Sequence, residues 1–487
     1  MTLQDLLKLL PSAPRDAGDA RVLGVTEDSR RVKSGMVFVA TPGDRHDGHE
    51  FAGKAVEAGA IAVLGNKAGL TEWNGVPYVQ VEHPRWSLGV VAHALAGNPS
   101  CHLTVIGVTG TNGKSSTVLM IQRILQFAGY GAACFGTLGY DIAGEHIPAP
   151  HTTPFGEDLA AMLQRAREAG ESHVVMEVSS HSLEQERVAG IHFTVGAFTN
   201  LTQDHLDFHK DMESYRRAKL RLFERIEGEG CFTVVNQEDL SATAFIEASR
   251  VPCHTYGAGG GCRADGVSMD GRRTAFTMRT PWGDAACTMR LLGHHNVSNA
   301  LCAVAVCGGL GIPVPRVAEG LASLERVRGR FEHVENDHGF QVVIDYAHTD
   351  DGLRNVLKAA RGICKGKVIV VFGCGGDRDK GKRPKMGAVA AELADYAFVT
   401  SDNPRTEDPD RIILDIEVGL QHAGQRKYDD YQLITDRTEA IRAAVRMAKP
   451  SDLVLIAGKG HEDYQILGTT RIHYDDREVA QQILEEI

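Results

Sequence analysis

The chain has 487 residues, with 52 Lys and Arg against 63 Asp and Glu, which gives a net charge of −11 at pH 7. Its 43% hydrophobic and 24% charged residues are ordinary for a globular protein and exclude a disordered or fibrous chain. The acidic balance, without a basic block, argues against a nucleic-acid or anionic-membrane partner. No uninterrupted apolar run approaches the roughly 18 residues that a membrane span needs.

The length predicts about three domains at roughly 150 residues each. The first ten residues, MTLQDLLKLL, lack the pattern of a secretory signal, so we expect a cytoplasmic protein. Ten cysteines are scattered without a C-x-x-C pair, and we expect them to be reduced.

The first 100 residues read as a small α/β domain, with a helix at GKAVEAGA before the strand AIAVLG. Asn98-Pro99 breaks the chain, and a second domain is predicted over 101–329. Its buried strands HVVMEVSS, VGAFTN and GCFTVVN alternate with helices such as EDLAAMLQRAREAG, as in a mostly parallel sheet. Two hairpin strands and the helix NVSNALCAVAVCGGLG follow.

Residues 330–487 contain five strand candidates, QVVIDYA, KVIVVFG, YAFVTS, YQLIT and DLVLIAG. Helices such as RTEAIRAAVRMA lie between them, which predicts a Rossmann-like, doubly wound domain. The expected fold class is therefore α/β, with a small N-terminal domain, a central domain like that of P-loop ATPases and this C-terminal domain.

A glycine-containing loop lies between the strand TVIGVT and a helix that begins near Lys114. The backbone N–H groups of such a loop can bind phosphate, the lysine can reach the outer phosphates, and the following hydroxyl can ligate Mg²⁺. A strict G-x-x-x-x-G-K-[ST] motif needs glycine at position 108, where this chain has Val108. The alternative is a glycine turn with a surface lysine. The predicted loop residues are Gly110, Thr111, Asn112, Gly113, Lys114, Ser115 and Ser116.

The segment GVTGTNGKSS resembles the ATP loop of the Mur ligase family. Further family-like segments follow in order: TTP at 152–154, MEVSSH at 176–181, TNLTQDHLDFH at 199–209, YRRAK at 215–219, GHHNVSNA at 293–300, GRFE at 329–332, DYAH at 345–348 and DNPRTEDP at 402–409. The resemblance spans nearly the whole chain. It implies three domains, ATP and Mg²⁺ as cofactors, small-molecule substrates, and amide-bond formation by a monomer.

Three side chains are candidate metal ligands besides Ser115. Glu177 follows an apolar run and is predicted at the carboxyl end of a strand, where it can hold Mg²⁺ near ATP or, alternatively, form a salt bridge. By resemblance, His205 is a ligand of a second Mg²⁺, although His/Asp clusters are often only hydrogen-bonded turns. By the same resemblance Lys219 reacts with CO₂ to become a metal-binding carbamate, where the sequence alone indicates a solvated lysine.

The resemblance also implies contacts with the nucleotide. It places Asn296 and Asn299 near the adenine and ribose, and for Asn296 a helix cap is the alternative. Arg330 and Asp345 are expected to face the nucleotide across the domain cleft. After DYAH the family usually continues with Thr-Pro, whereas this chain has Thr349-Asp350, so we expect a freer turn.

Resemblance also assigns residues to a UDP-N-acetylmuramoyl dipeptide. Those for its uridine diphosphate end are Ser29, Gly43, Asp44, Arg45 and His46. Those for its dipeptide end are His151, Thr152, Thr153, Ser179, Gln185 and Arg187. Glu27 and His151 depart from the usual apolar residue and asparagine, which weakens individual contacts.

The amine substrate is indicated by Asp402, Asn403, Pro404 and Arg405. This D-N-P-R loop resembles that of family members that add meso-2,6-diaminopimelate to the D-Glu γ-carboxylate, although the plain interpretation is a polar turn. A guanidinium can clamp the distal carboxylate of diaminopimelate, which lysine lacks. Arg378, Gly458 and Glu462 are expected to complete the pocket. The alternatives are an L-lysine-adding relative, a folylpolyglutamate-synthase-like ligase, and a P-loop switch that forms no bond.

Overall fold

The computed structural model describes residues 1–11, 19–43, 46–270 and 272–487. It has an α/β fold with three large sheets. Each sheet lies within one of the stretches 1–100, 101–329 and 330–487, and we propose these stretches as the domains. Among the described residues, none of the helices is long and apolar enough to cross a membrane.

The N-terminal sheet has five strands. They are β1 (Gly24–Thr26), β2 (Met36–Val39), β3 (Ala62–Gly65), β4 (Glu72–Trp73) and β5 (Val76–Gln80), with helices α1 (Leu3–Leu7), α2 (Ala52–Glu57) and α3 (Pro84–Leu95). The spatial order is β1-β2-β3-β5-β4, with β4 antiparallel to β5 and the other neighbours parallel. The predicted helix and the strand after it are α2 and β3, so both predictions are confirmed.

The central sheet has eight strands. They are β6 (Thr104–Thr109), β7 (Ala132–Gly136), β8 (Gly139–Ile142), β9 (Glu145–Ile147), β10 (His173–Glu177), β11 (Val195–Phe198), β12 (Phe232–Asn236) and β13 (Cys253–Tyr256). Its order is β13-β12-β11-β6-β10-β7-β8-β9, parallel except for the two pairs made by β8. The predicted strands of this region are confirmed as β10, β11 and β12.

Helices cover both faces of the central sheet. They are α4 (Lys114–Phe127), α5 (Gly156–Glu168), α6 (Ser180–Glu184), α7 (Leu206–His209), α8 (Met212–Glu224), α9 (Ala242–Ala248), α10 (His294–Gly309) and α11 (Val314–Ala322). One apolar core contains α4, α10 and α11, and a second on the other face contains α5, α8 and α9. The predicted hairpin is wrong in strand number, because three antiparallel strands, β14 (Arg263–Met269), β15 (Thr274–Thr280) and β16 (Gly283–Met289), form a small sheet.

The C-terminal sheet contains all five predicted strands. Its strands are β17 (Glu332–Val334), β18 (Gln341–Asp345), β19 (Val368–Phe372), β20 (Tyr396–Val399), β21 (Tyr431–Leu433) and β22 (Leu453–Ala457), in the order β17-β18-β22-β19-β20-β21. The five are parallel, and the unpredicted β17 is antiparallel to β18. A hairpin of β23 (Tyr464–Leu467) and β24 (Thr470–His473) follows and was also not predicted.

The C-terminal sheet is covered by helices on both faces, which confirms the doubly wound prediction. The helices are α12 (Asp350–Ile363), α13 (Lys382–Leu393), α14 (Pro409–His422), α15 (Arg437–Met447) and α16 (Asp476–Glu485). One core packs α12, α13 and α14 against the sheet, and the opposite core packs α15 and α16. Burial on both faces explains the continuous apolar runs of β19 and β22. All ten cysteines are free.

His93 on α3 predicts an acid-sensitive stability. It is fully buried, neither ring nitrogen has a hydrogen-bond partner in the described chain, and burial lowers its pKa to about 4. Between pH 6.5 and 4 the unfolded chain therefore binds more protons at this residue than the native state, so stability falls as the pH drops. At pH 5 this linkage costs about 2 kcal/mol.

We therefore expect His93→Leu to gain more stability over wild type at pH 5 than at pH 8, as measured by urea unfolding. The same substitution at the exposed His102 is the control. An equal change at both pH values would contradict the linkage.

Candidate active site

The glycine-containing loop lies at the centre of the main sheet. Its strand, β6, runs between β10 and β11, and all three are parallel. Their carboxyl ends therefore meet at one edge, where clefts of open α/β sheets bind ligands. This edge carries the loop after Thr109, the carboxylate of Glu177 and the segment after Phe198.

Two loop glycines are required by the backbone conformation. Gly110 has φ 149°, and a Cβ there would lie 1.9 Å from Oγ1 of Thr199. Gly113 has φ 85° and precedes α4, and a Cβ there would lie 2.2 Å from Oδ1 of Asn299. These positive φ values and close contacts exclude other residues. The loop can therefore present its backbone N–H groups and the start of α4 to an anion.

The segment after β11 fixes the loop in place. Asn200 accepts hydrogen bonds at 2.9 Å from N–H of Asn112, through Oδ1, and at 2.8 Å from N–H of Thr111, through its carbonyl. The hydroxyl of Thr199 donates to the carbonyl of Asn112 at 2.7 Å. Thr199 and Asn200 belong to the family-like segment at 199–209, but the sequence predicts no role for either. Their position after a buried strand next to β6 is the signal that could have found them.

The side chain of Lys114 is hydrogen-bonded to its own loop. Its ammonium donates to the carbonyls of Gly110 at 2.9 Å and Thr111 at 2.8 Å. Burial lowers the pKa of Lys114, opposed by the carboxylates of Glu177 and Asp204. The cation therefore lies against the loop that is predicted to bind phosphate.

Glu177 faces Ser115 at the same edge. Oγ of Ser115 donates to Oε1 of Glu177 at 2.8 Å, and the N–H of Thr137 donates to the same oxygen at 2.8 Å. The guanidinium of Arg330 reaches Oγ of Ser115 at 3.1 Å from the C-terminal side of the cleft. The alternative prediction, a salt bridge, is wrong for the described residues, because the partners of Glu177 are neutral donors.

Lys219 is a buried amine rather than a solvated one. It is 1% exposed, donates to the carbonyl of Gly110 at 2.8 Å and lies 4.5 Å from the ring centre of Tyr215. The two side chains are one helical turn apart on α8 and share a face. Burial holds the pKa of Lys219 well below its usual value, and the nearby Lys114 lowers it further.

His205 lies beside a second histidine. Its ring centre is 4.7 Å from that of His181, and Nε2 lies 3.4 Å from Oδ2 of Asp204. Burial lowers the pKa of His205 to about 4, so its imidazole is neutral at pH 7 and can act as a metal ligand. Its backbone has φ 54°, an uncommon value for a non-glycine residue that is often associated with functional sites.

A cavity of about 370 Å³ connects these groups across the cleft. It is lined by most of the predicted central residues together with Tyr346 and His348 of the DYAH segment. The predicted residues that line it are Thr111, Asn112, Gly113, Lys114, Ser115, Ser116, Thr152, Glu177, Ser179, His205, Lys219, Asn299, Arg330 and Asp345. Gly110 and Asn296 do not line it.

Asn296 supports the cavity from behind. Its amide donates to the carbonyl of Leu292 at 2.8 Å, and its Oδ1 accepts from Asn299 at 3.2 Å. The alternative prediction of a helix cap is wrong, because the N-cap of α10 is Gly293 and Asn296 lies inside the helix.

The C-terminal domain contributes a second ordered turn. Asp345 accepts backbone hydrogen bonds at 2.7 Å from both Phe331 and Ala347, while burial raises its pKa. The turn after DYAH is not free, because Thr349 caps α12 by accepting from the N–H of Gly352 at 3.1 Å. Asp350 occupies the first helical position, which favours an acid.

Of the residues assigned to the dipeptide, Thr152 and Ser179 line the cavity, whereas His151, Thr153, Gln185 and Arg187 do not. The hydroxyl of Thr153 donates to the carbonyl of Glu177 at 2.9 Å, and Ser179 caps α6. Arg187 donates to Oε1 of Gln185 at 2.6 Å and stacks 4.2 Å from the ring of Phe155.

His151 contacts the same aromatic ring. Its imidazole lies edge-on to Phe155 at 5.0 Å, and its carbonyl accepts a hydrogen bond from Tyr140. His151 is therefore adjacent to the predicted dipeptide side.

The predicted uridine residues lie in the N-terminal domain. Ser29 follows β1, and the N–H of Gly43 donates to the carbonyl of His46 at 3.0 Å. Asp44 and Arg45 are outside the described residues. Glu27 accepts a hydrogen bond from Thr41 at 2.7 Å, which explains how this departure is accommodated.

The D-N-P-R loop is joined to the unpredicted hairpin. The N–H of Arg405 donates to the carbonyl of Ile466 at 3.1 Å, and the N–H of Gly468 donates to the carbonyl of Arg405 at 2.8 Å. Arg405 has φ 52° and donates through Nη1 to the carbonyl of Gly376 at 2.8 Å. Pro404 is buried beside it.

Asn403 connects this loop to Glu462. Its amide donates to Oε2 of Glu462 at 2.9 Å, and its carbonyl lies 3.5 Å from Nη1 of Arg405. A Cβ at Gly458 would lie 2.8 Å from Oδ2 of Asp402, so the glycine allows this approach. Arg378 is exposed. A Cβ at Gly375 would lie 2.9 Å from Nη1 of Arg405 and 3.8 Å from Cγ of Arg378, so both arginines are next to this glycine.

Comparisons with known proteins cover the whole chain. The Mur ligase family catalytic domain matches residues 21–96, the Mur ligase middle domain matches 108–307, and the Mur ligase glutamate ligase domain matches 329–460. A UDP-N-acetylmuramoyl-L-alanyl-D-glutamate--2,6-diaminopimelate ligase from Geobacter metallireducens is 42% identical, covering 98% of this chain and 97% of the relative. The enzyme of the same name from Bacillus licheniformis is 40% identical over the full length of both.

A solved structure of a ligase with this name is 30% identical, with a TM-score of 0.71, and covers 100% of this chain and 99% of the other. These full-length matches agree with the motifs and the cleft described above. The chain therefore belongs to the Mur ligase family, whose members are ATP-dependent ligases.

Proposed function

We propose that this ligase joins meso-2,6-diaminopimelate to the D-Glu γ-carboxylate of UDP-N-acetylmuramoyl-L-alanyl-D-glutamate, in peptidoglycan precursor synthesis. The observation that carries the proposal is the placement of Arg405 and Glu462 on either side of Asn403. A guanidinium and a carboxylate so placed complement the distal carboxylate and ammonium of diaminopimelate. With L-lysine the guanidinium would have no partner in the substrate.

The reaction needs an activated carboxylate, because a free carboxylate is a poor acylating agent. ATP phosphorylates the γ-carboxylate, the amine attacks the acyl phosphate, and phosphate leaves. The N–H groups of the loop bind the phosphates, and the ammonium of Lys114 stabilises the transferring charge. Arg330 adds a second cation from the opposite side of the cleft. The task of the protein is mainly to position three substrates.

The donors present fit Mg²⁺. Glu177 is buried without a cationic partner among the described residues, and Ser115 adds a hydroxyl. We propose Ser115 and Glu177 for one ion and His205 with carbamylated Lys219 for the second. Such ions neutralise phosphate charge. No three His, Cys, Asp or Glu side chains of the described chain form a metal cluster by themselves.

The carbamate proposal is supported by the environment of Lys219. Only an unprotonated amine attacks CO₂, and burial lowers the pKa of this amine well below its usual value. The product is an anion on a long stem that can bind Mg²⁺, whereas an ammonium would be repelled.

The remaining assignments extend the same proposal. Residues at the dipeptide and uridine ends hold the nucleotide sugar as the resemblance implies, and Asn296 and Asn299 border the nucleotide. We propose further that the enzyme acts as a cytoplasmic monomer. A folylpolyglutamate-synthase-like activity is disfavoured, because such ligases usually lack a separate N-terminal uridine domain, whereas this chain has a five-stranded sheet there.

Arg405→Ala tests the amine assignment. The variant should lose about 30-fold to 10³-fold in kcat/KM for diaminopimelate, because a bidentate charged contact is worth roughly 2 to 4 kcal/mol. KM for ATP and for the muramoyl dipeptide should be nearly unchanged. The measurement is phosphate release with each amine and the mass of the product.

Arg426→Ala, at an exposed arginine of the same domain, is the matched control. Equal wild-type kcat/KM for lysine and diaminopimelate, or a loss shared by both amines in Arg405→Ala, would mean that the arginine is not the selector. Phosphate release that does not require both the dipeptide and an amine would instead support a P-loop switch.

A further inference from the structure

Lys459 is a buried cation that the assigned pocket residues surround. It is 0% exposed and follows β22 in the GKGHE segment. Its ammonium lies 3.4 Å from Oδ1 of Asn403, 3.4 Å from Oε2 of Glu462 and 3.7 Å from Oδ1 of Asp402. All three neighbours belong to the proposed amine pocket, although the resemblance assigned no role to Lys459 itself.

Lys459 helps to orient the side-chain amide of Asn403. Oδ1 of Asn403 accepts from Lys459 and, at 2.9 Å, from the N–H of Ile466, so the carbonyl end of the amide faces two donors. The opposite end, Nδ2, then points to Oε2 of Glu462. An amide has one acceptor end and one donor end, so the two donors at Oδ1 fix the orientation in which Nδ2 supports Glu462.

The charges around Glu462 lead to the same conclusion. Burial and the neighbouring Asp402 raise the pKa of Glu462, whereas Lys459 opposes them. Two carboxylates in one buried site repel each other unless a cation lies between them. Arg437, a second buried cation nearby, is bound at 2.7 Å to Asp476 and acts on Asp402 without forming an ion pair with it in the described chain. Among the described residues, Lys459 is therefore the cation that lies within 4 Å of both Asp402 and Glu462.

We propose that Lys459 is a positioning residue for the amine substrate. Its ammonium orients Asn403 and holds the carboxylate of Glu462 ready for the distal ammonium of diaminopimelate, without touching the substrate. This inference rests on the proposed function. It predicts that loss of Lys459 affects binding of the amine selectively.

A double-mutant cycle tests the inference. Steady-state kinetics with each of the three substrates varied would compare wild type, Lys459→Met, Glu462→Gln and the double variant. Lys459→Met should raise KM for diaminopimelate at least about tenfold, the size of effect that supporting residues typically have. KM for ATP and for the muramoyl dipeptide should stay within about threefold.

In the Glu462→Gln background, Lys459→Met should raise KM for diaminopimelate by less than about a further threefold, because the carboxylate that Lys459 positions is already absent. Lys427→Met, which removes a partly exposed lysine 3.5 Å from Glu417 in the same domain, is the matched control and should change no KM. Thermal unfolding of every variant reports folding. Lys459→Gln, which retains a donor to Asn403, replaces Lys459→Met if the latter does not fold.

Additive effects in the cycle would mean that Lys459 acts independently of Glu462. Equal rises in all three KM values with a lowered Tm would mean that Lys459 only stabilises the fold. Either result would overturn the inference. An unchanged KM for diaminopimelate in a wild-type-like Lys459→Met would also overturn it while leaving the proposed function intact. Absence of turnover with diaminopimelate in the wild type would instead overturn the function together with the inference.

Discussion

Lys219→Ala is expected to be nearly inactive. The substitution removes the amine that would carry the carbamate, so the proposed second Mg²⁺ loses an anionic ligand and phosphoryl charge is left less neutralised. A loss of about 4 kcal/mol in transition-state stabilisation corresponds to ~10³-fold in kcat. Phosphate release under saturating substrates is the measurement. A short carboxylate added from solution should restore part of the activity by occupying the vacated position.

A spectroscopic measurement distinguishes loss of the carbamate from a general loss of activity. Wild type incubated with isotopically labelled bicarbonate should show a carbamate carbon resonance in NMR that Lys219→Ala lacks. Tyr215→Phe retains the ring beside Lys219 and removes the hydroxyl that lies 3.2 Å from Oγ1 of Thr111, so it should retain the resonance. An unmodified Lys219 in the fully active, metal-bound wild type would contradict the proposal.

Lys114→Ala is expected to fold normally and to lose at least about 10²-fold in kcat, as is typical when an electrostatic donor is removed. The two hydrogen bonds that the ammonium makes go to carbonyls of its own loop, whereas the loop conformation depends on Gly110 and Gly113 and on the contacts with Thr199 and Asn200. We therefore expect the loop to keep its conformation without this cation. Phosphate release and product mass measure the effect.

The control for this loss is Lys365→Ala, at an exposed lysine of the C-terminal domain, which should retain wild-type turnover. The unfolding temperature of Lys114→Ala should lie close to that of wild type. Near-normal turnover in Lys114→Ala would remove the loop lysine from the mechanism.

The central part of the site could be predicted because local patterns determine it. The apolar β-branched strand before the loop, the glycines and the helix starting at Lys114 are adjacent in sequence, and the structure has them as β6, the loop and α4. Glu177 could be placed in the same way, because parallel strands bring their carboxyl ends to one edge. The family resemblance is confirmed by the full-length matches.

Other features depend on contacts between distant segments and leave little trace in the sequence. The loop is held by Asn200, 88 residues after Asn112, and a polar residue after a strand has many possible partners. Burial of Lys219 and His93 likewise results from tertiary packing, since neither helix shows it in composition. The segments of β17 and of the β23-β24 hairpin are short and partly polar, so periodicity does not separate them from loops.

The pairing of Arg405 with the hairpin joins two segments about 60 residues apart into one structural unit. Because Arg405 is held between Ile466 and Gly468 by backbone hydrogen bonds, an insertion or deletion in the hairpin would displace the guanidinium even if the D-N-P-R motif were untouched. The position of the guanidinium therefore depends on both segments. If the four-residue motif alone were grafted into a relative with a different hairpin, the arginine would be present but its guanidinium should not take the same position.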